Sequence, residues 1–346
     1  MAGAARAWFW GACLSTALLS NARRAQPVPG EAAAGVAMPV PAQIRVPSLD
    51  RVDGQALLLS AHWFPVVSGA EPGTVLGAVP GVVPGVVPGA RGPRPALVLM
   101  HGCGGAFDRQ GRLSLRMREY SALLNGQGWS VLVLDSFGAR GATQICTQKL
   151  GTRAVTMTQR RRDALGALAW LAHQPGVDAQ RLALLGWSNG GSAVLAATNR
   201  QHAEVASAAT SARAAVAFYP GCDSDLRAGY TPSAALLLLV GEADDWTPAA
   251  ACEALVRSAA AAPASALPAP AAPAAPSASG PAVVPAPQIS VFPGAFHGFD
   301  GVAPVALRSD VPNGVHPGAG VHVGGQPEAR AASRSQMLEF LRAALR

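Results

Sequence analysis

The chain has 346 residues, half of them hydrophobic, and a formal net charge of +7. That length holds one large α/β domain or two small ones, and the apolar share is ample for a core. The excess charge is almost all arginine, with Lys149 the only lysine, and the arginines are scattered apart from Arg160-Arg161-Arg162. That trio reads as a solvated helix face, so no nucleic-acid patch is expected. Zinc-like Cys/His spacing and a Gly-x-x-x-x-Gly-Lys-Ser/Thr phosphate loop are both missing from the sequence.

In chain order, residues 1–22 have the form of a signal peptide. Arg6 supplies a positive start, Trp8 to Leu19 is an apolar stretch, and Ser20-Asn21-Ala22 offers small residues for cleavage. The stretch is short for a bilayer span, so no stable membrane insertion is expected once the leader is removed. An uncleaved anchor and a misplaced start are the alternatives. Export implies a periplasmic or extracellular protein. Residues 23–42 read as a Pro/Ala-rich linker, and residues 43–346 as the folded domain.

Gln43–Pro47 and Gln55–Pro65 read as opening antiparallel strands. A Val-Pro-Gly repeat follows, from Ala78 to Gly89. Its proline at every fourth position bars it from a sheet interior, so residues near 72–94 read as a surface insertion. Then strands alternate with helices. Strand Ala96–Met100 precedes helix Leu113–Asn125, and strand Ser130–Leu134 precedes helix Thr156–His173. Strand Arg181–Leu185 leads into helix Gly190–Asn199, and Ala214–Tyr219 and Ala235–Val240 are two further buried strands. A second insertion, near 259–287, is mostly Ala and Pro. Strand Gln288–Phe292 and the amphipathic helix Ala331–Leu345 close the chain. Continuous apolar strands alternating with helices predict a mostly parallel central sheet of about eight strands, covered on both faces. Right-handed crossovers gather the loops that follow the strands along one edge.

That edge collects the chemistry. Gly186-Trp187-Ser188-Asn189-Gly190, between a strand and a helix, has the form of a nucleophile elbow presenting Ser188. A side chain at either flanking glycine would clash with a neighbouring strand or helix. Asp244 and Asp245 follow a later strand, and His297 follows the last one. The order nucleophile, acid, histidine is that of a triad on this architecture. A serine hydroxyl is a weak nucleophile that needs a base, His297, and the base needs an acid to hold its tautomer. Asp244 has the preferred spacing for the acid. Asp245 is the alternative, or it caps the helix beginning near Thr247-Pro248. The backbone N–H groups of Cys103 and Asn189 are the candidate oxyanion donors, a role whose loss costs about 3 to 4 kcal/mol in barrier height.

The other singled-out residues take supporting parts. His101 organises its loop, Asp300 is structural, and Trp187 and Trp246 either pack or border an acyl pocket. Arg140 either shapes its loop through an ion pair or binds a substrate carboxylate. With the leader removed, Cys103, Cys146, Cys222 and Cys252 remain. Cys222 and Cys252 follow successive strands and are expected to pair, leaving Cys103–Cys146, with four buried free thiols as the alternative.

His101-Gly-Cys-Gly-Gly105, Asp135-Ser-Phe-Gly-Ala-Arg-Gly141, Gly186-Trp-Ser-Asn-Gly-Gly191, Gly241-Glu-Ala-Asp-Asp-Trp-Thr-Pro248 and His297-Gly-Phe-Asp300 together resemble the dienelactone hydrolase family of α/β-hydrolases. The similarity runs from about Gln43 to the C-terminus apart from the two insertions. It implies one α/β-hydrolase domain, a small-molecule ester substrate, and neither a metal nor a cofactor. Dienelactone hydrolases proper use a cysteine nucleophile. Ser188 therefore points away from dienelactone itself and toward a serine carboxylesterase. A depolymerase or peptidase on the same scaffold is the second reading, and a non-catalytic surface or binding protein the third. Oligomeric state is left open by the sequence.

Overall fold

The computed structural model describes residues 41–68, 85–87, 92–261 and 284–346. The expected leader, nearly all of the linker, and most of both insertions lie outside those residues. Chain order gives β1 (Ala42–Val52), β2 (Gln55–Phe64), β3 (Val66–Ser68), β4 (Gly85–Val87), β5 (Arg94–Met100), α1 (Leu115–Asn125), β6 (Ser130–Leu134), α2 (Met157–Ala172), β7 (Val177–Trp187) and α3 (Asn189–Thr198). There follow α4 (Ala203–Ala206), β8 (Ala214–Phe218), α5 (Asp223–Ala228), β9 (Ala235–Gly241), α6 (Ala249–Ala261), β10 (Gln288–Phe292), β11 (Ala306–Arg308), β12 (Val321–Val323) and α7 (Pro327–Ala344).

Eight strands form one sheet in the order β1-β2-β6-β5-β7-β8-β9-β10. The first two strands pair antiparallel, β2 joins β6 antiparallel, and every later pair is parallel. The central strands are buried on both faces because alternate side chains enter different cores. Ala96, Val98 and Met100 of β5 join Leu182 and Leu184 of β7 under α2, α3 and α6. Leu97, Leu99, Ala183 and Leu185 point the other way, toward α1 and α7. Burying one such leucine contributes roughly 1.5–3 kcal/mol, so these two layers hold the loop-bearing edge.

The helices begin where local chemistry supplies acceptors for free amides. Ser114 caps α1, and Thr156 with Gln159 forms a capping box on α2. Gly166 lets α2 lie against β1, where an added Cβ would strike the Pro47 carbonyl oxygen.

Four features depart from the sequence expectation. Gly85–Val87, inside the Val-Pro-Gly repeat, pairs parallel with Val66–Ser68. This is a ribbon of two three-residue strands, short enough to fit between Pro84 and Pro88, so the bar on a sheet interior stands. Helix α6 runs on to Ala261, so the second insertion begins later than residue 259. The Gly-rich segment after His297 contains an antiparallel pair, β11 with β12. Arg160 is fully buried and Arg161 nearly so, which overturns the solvated-face reading. Arg160 lies in register with Ala164, Ala167, Leu168 and Leu171, the apolar stripe of α2.

Candidate active site

The elbow is built by close backbone contact. Ser188 adopts φ 53° and ψ −120°, a left-handed conformation costing on the order of 1–3 kcal/mol outside glycine. The surroundings enforce it. An added Cβ on Gly186 would strike the Gly190 carbonyl, and one on Gly190 would strike the carbonyls of Met100 and His101. The Ser188 amide donates to the Phe218 carbonyl at 2.9 Å, tying the turn to β8. Ser188 thus stands between β7 and the N-terminus of α3.

Three sequence-selected side chains meet at this point. His297 Nε2 is 2.9 Å from Ser188 Oγ, and His297 Nδ1 is 2.8 Å from Asp244 Oδ2. Asp244 and His297 are both buried. Burial works to raise the Asp244 pKa, but the His297 ring and the backbone amides of Thr247 and Trp246 outweigh it. The carboxyl is held below its ordinary value. Oδ1 of Asp244 accepts both amides, Trp246 at 2.9 Å and Thr247 at 2.8 Å. The turn-stabilising part considered for Asp245 therefore belongs to Asp244. Asp245 turns outward instead, where Oδ2 meets His322 Nδ1 at 2.7 Å and Oδ1 accepts the His322 amide.

Two neighbours had no sequence signal. The Thr247 hydroxyl lies 3.0 Å from Asp244 Oδ2 and 3.1 Å from His297 Nδ1. The Tyr219 ring lies tilted 4.6 Å from the His297 ring, and the Trp246 ring lies 4.7 Å from it. Tyr219 itself has φ 36°, and its hydroxyl donates to Asp300 Oδ1 at 2.6 Å. Asp300 also accepts the Trp187 indole N–H at 3.1 Å and a two-pronged contact from Arg116. One buried carboxylate thus braces the residue before Ser188 and the ring against His297, the structural part expected of it. Trp187 is a packing residue, whereas Trp246 borders the histidine.

The Cys103 and Asn189 amides make no hydrogen bond to another described residue. Cys103 is bonded to Cys146 with Cα atoms 4.9 Å apart, and its carbonyl accepts the Ile145 amide at 2.8 Å. The His101–Gly105 loop is thereby stitched to the loop after β6. Cys222 pairs with Cys252, Cα atoms 5.0 Å apart, anchoring the segment after β8 to α6. Both expected disulfides are present.

His101 is fully buried. Its Nδ1 contacts the Gly102 carbonyl and its Nε2 accepts the Ser136 amide at 3.2 Å. Burial, aided by the Arg160 charge, lowers its pKa to about 3, so it is a neutral loop organiser. Arg140 is held by Asp163, Asp50 and the Ser136 carbonyl, an ion-pair cluster that shapes its own loop. A cleft of about 820 Å³ opens beside the Cys103 loop, lined by Gly104, Phe107, Thr143, Cys146 and Arg308 among others. Among the described residues no cluster of three or more His, Cys, Asp or Glu side chains is arranged to hold a metal ion. No helix among them is long and apolar enough to cross a membrane.

A sequence profile of the dienelactone hydrolase family matches residues 85–266, just over half of the chain. No functionally curated protein sequence matches it. Solved structures of the same fold include a dienelactone hydrolase candidate from Klebsiella pneumoniae, 17% identical with TM-score 0.53, covering 88% of this chain and 98% of that one. The dienelactone hydrolase of Anabaena variabilis is 17% identical with TM-score 0.51, covering 89% and 100%. Esterase 2 of Thermogutta terrifontis, captured phosphorylated by paraoxon, is 17% identical with TM-score 0.51, covering 88% and 94%.

Proposed function

The chain belongs to the dienelactone hydrolase family, within the α/β-hydrolase superfamily, and from that premise we propose that it is a serine hydrolase cleaving carboxylic esters through an acyl-enzyme. The observation that carries this reading is the unbroken line Ser188 Oγ, His297 Nε2, His297 Nδ1, Asp244 Oδ2, with contacts of 2.9 and 2.8 Å.

His297 takes the Ser188 proton as the hydroxyl oxygen attacks the ester carbonyl. Asp244, kept ionised by its amide donors, stabilises the imidazolium that forms. The Asn189 and Cys103 amides receive the oxyanion. His297 then returns its proton to the departing alcohol. In the second half, His297 takes a proton from water as the water oxygen bonds to the acyl carbon, then gives that proton to Ser188 Oγ as the acyl-serine bond breaks and the acid leaves.

A hydroxyl nucleophile in place of a thiol favours simple esters over dienelactone. We assign residues 43–346 to the catalytic domain and residues 1–22 to a removable leader. The two disulfides favour an oxidising compartment, periplasmic or extracellular. Labelling with a fluorophosphonate tests the reading: wild type is expected to be marked at Ser188 and Ser188→Ala not at all. A folded, unlabelled wild type refutes it. Esters of increasing acyl length would then define the substrate range.

A further inference from the structure

We propose that Arg160 is a positioning residue for this reaction, clamping together the two backbone segments whose amides receive the oxyanion; the inference rests on the serine-hydrolase reading above. Nη1 of Arg160 donates to Asn189 Oδ1 at 2.6 Å, and Nη2 donates to the His101 carbonyl at 2.8 Å. Asn189 directly follows the nucleophile and carries one candidate oxyanion amide. His101 stands two residues before Cys103, which carries the other. The same two segments are pressed together at Gly190, where a Cβ would meet the Met100 and His101 carbonyls. The two prongs of one guanidinium therefore set the spacing of the two donors.

The energetics argue against a purely structural role. The Arg160 side chain is completely buried, yet both of its acceptors are neutral and its Nε has no partner. Among the described residues no carboxylate lies within ion-pair distance of it. Asp163, the nearest acid along α2, is engaged by Arg140. A buried guanidinium without a carboxylate is costly to keep. The more distant Asp163 and Asp135 charges and the Phe137 ring, 5.2 Å from the guanidinium carbon, offset part of that cost. Burial draws the Arg160 pKa down to about 10, which still leaves it charged at neutral pH. A rigid planar fork suits two acceptors on separate segments. The single ammonium of lysine does not reproduce that geometry.

The test compares full-length wild type with R160M and R160K. The readouts are kcat and KM for p-nitrophenyl acetate and inhibition by an alkylboronic acid, whose adduct with serine is tetrahedral and anionic. Misplaced donors weaken only the tetrahedral state. In R160M, kcat is expected to fall roughly 10- to 100-fold and boronate inhibition to weaken by a similar factor, with KM nearly constant. R160K is expected to fall in between. A folded R160M with wild-type kcat and boronate affinity, or with a change in KM alone, overturns the inference. Should R160M fail to fold, R160K decides by the same criteria: a parallel loss supports the clamp and wild-type values overturn it. Fluorophosphonate labelling separates the two levels. An unlabelled wild type removes the hydrolase reading and the clamp together, whereas a labelled wild type with unaffected Arg160 variants removes the clamp alone.

Discussion

Two histidine–aspartate pairs lie side by side in this molecule, and they share almost nothing but residue type. Asp244 holds His297 with both side chains buried, the Thr247 hydroxyl alongside and two aromatic rings near the imidazole. Asp245, the next residue, holds His322 of β12 with the carboxylate 30% and the imidazole 45% exposed. The contacts are equally short, 2.8 and 2.7 Å. Distance alone therefore does not distinguish the two pairs. The inner pair sits where water is excluded and a hydroxyl waits on the far side of the ring. The outer pair fastens the Gly-rich segment to the acid turn, in a medium that screens it.

The sharpest way to break the comparison is to remove the hydroxyl. Ser188→Ala is expected to lower ester turnover on the order of 10⁵- to 10⁶-fold with an unchanged melting temperature, checked by steady-state kinetics beside thermal unfolding. Next comes the acid. Asp244→Asn is expected to cost about 10⁴ in kcat by upsetting the histidine tautomer, whereas Asp245→Asn should cost less than about tenfold. The reverse ranking would exchange the roles of the two pairs.

Stability experiments sharpen the inner side further. Cys146→Ser opens a link across 43 residues. It should lower unfolding free energy by about 3–4 kcal/mol in the chain-entropy model, measured by denaturant titration. His101 supplies a pH signature. Its folded pKa, about 3, lies below the ordinary 6.5, so below pH 6.5 the unfolded chain binds the proton more readily. The His101 contribution is complete above that value and falls away as pH drops toward 3, by about 3 kcal/mol at pH 4. His101→Gln should flatten this acid slope in a pH series of unfolding curves; equal slopes would show that another group governs it. The smallest effect belongs to the outer pair. His322→Ala should change stability by no more than about 1 kcal/mol and leave kcat nearly untouched.

Legibility in the sequence followed locality. The parallel strands were visible because each is a continuous apolar run flanked by turns, and the elbow because its glycines are spaced by backbone contact. Residues joined by long loops were harder. Arg160 stood in a run of three arginines, and charge outweighed the helical spacing that aligned it with Ala164 and Leu168. Thr247 and Tyr219 are ordinary residues whose parts arise from what folding brings beside them. The short pairing of β11 with β12 had no apolar alternation strong enough to be read.

The sequence by itself determined the order of strands and helices, the pentapeptide that forces Ser188 into a left-handed turn, and the three residue types placed after β7, β9 and β10. These are local matters of φ/ψ space, side-chain periodicity and glycine contact. Only the tertiary structure decided which of two adjacent aspartates faces His297, which cysteines meet, and that one arginine of three is drawn into the interior. Those outcomes depend on water exclusion and on through-space distances between segments dozens of residues apart, so local spacing could favour one answer but not fix it.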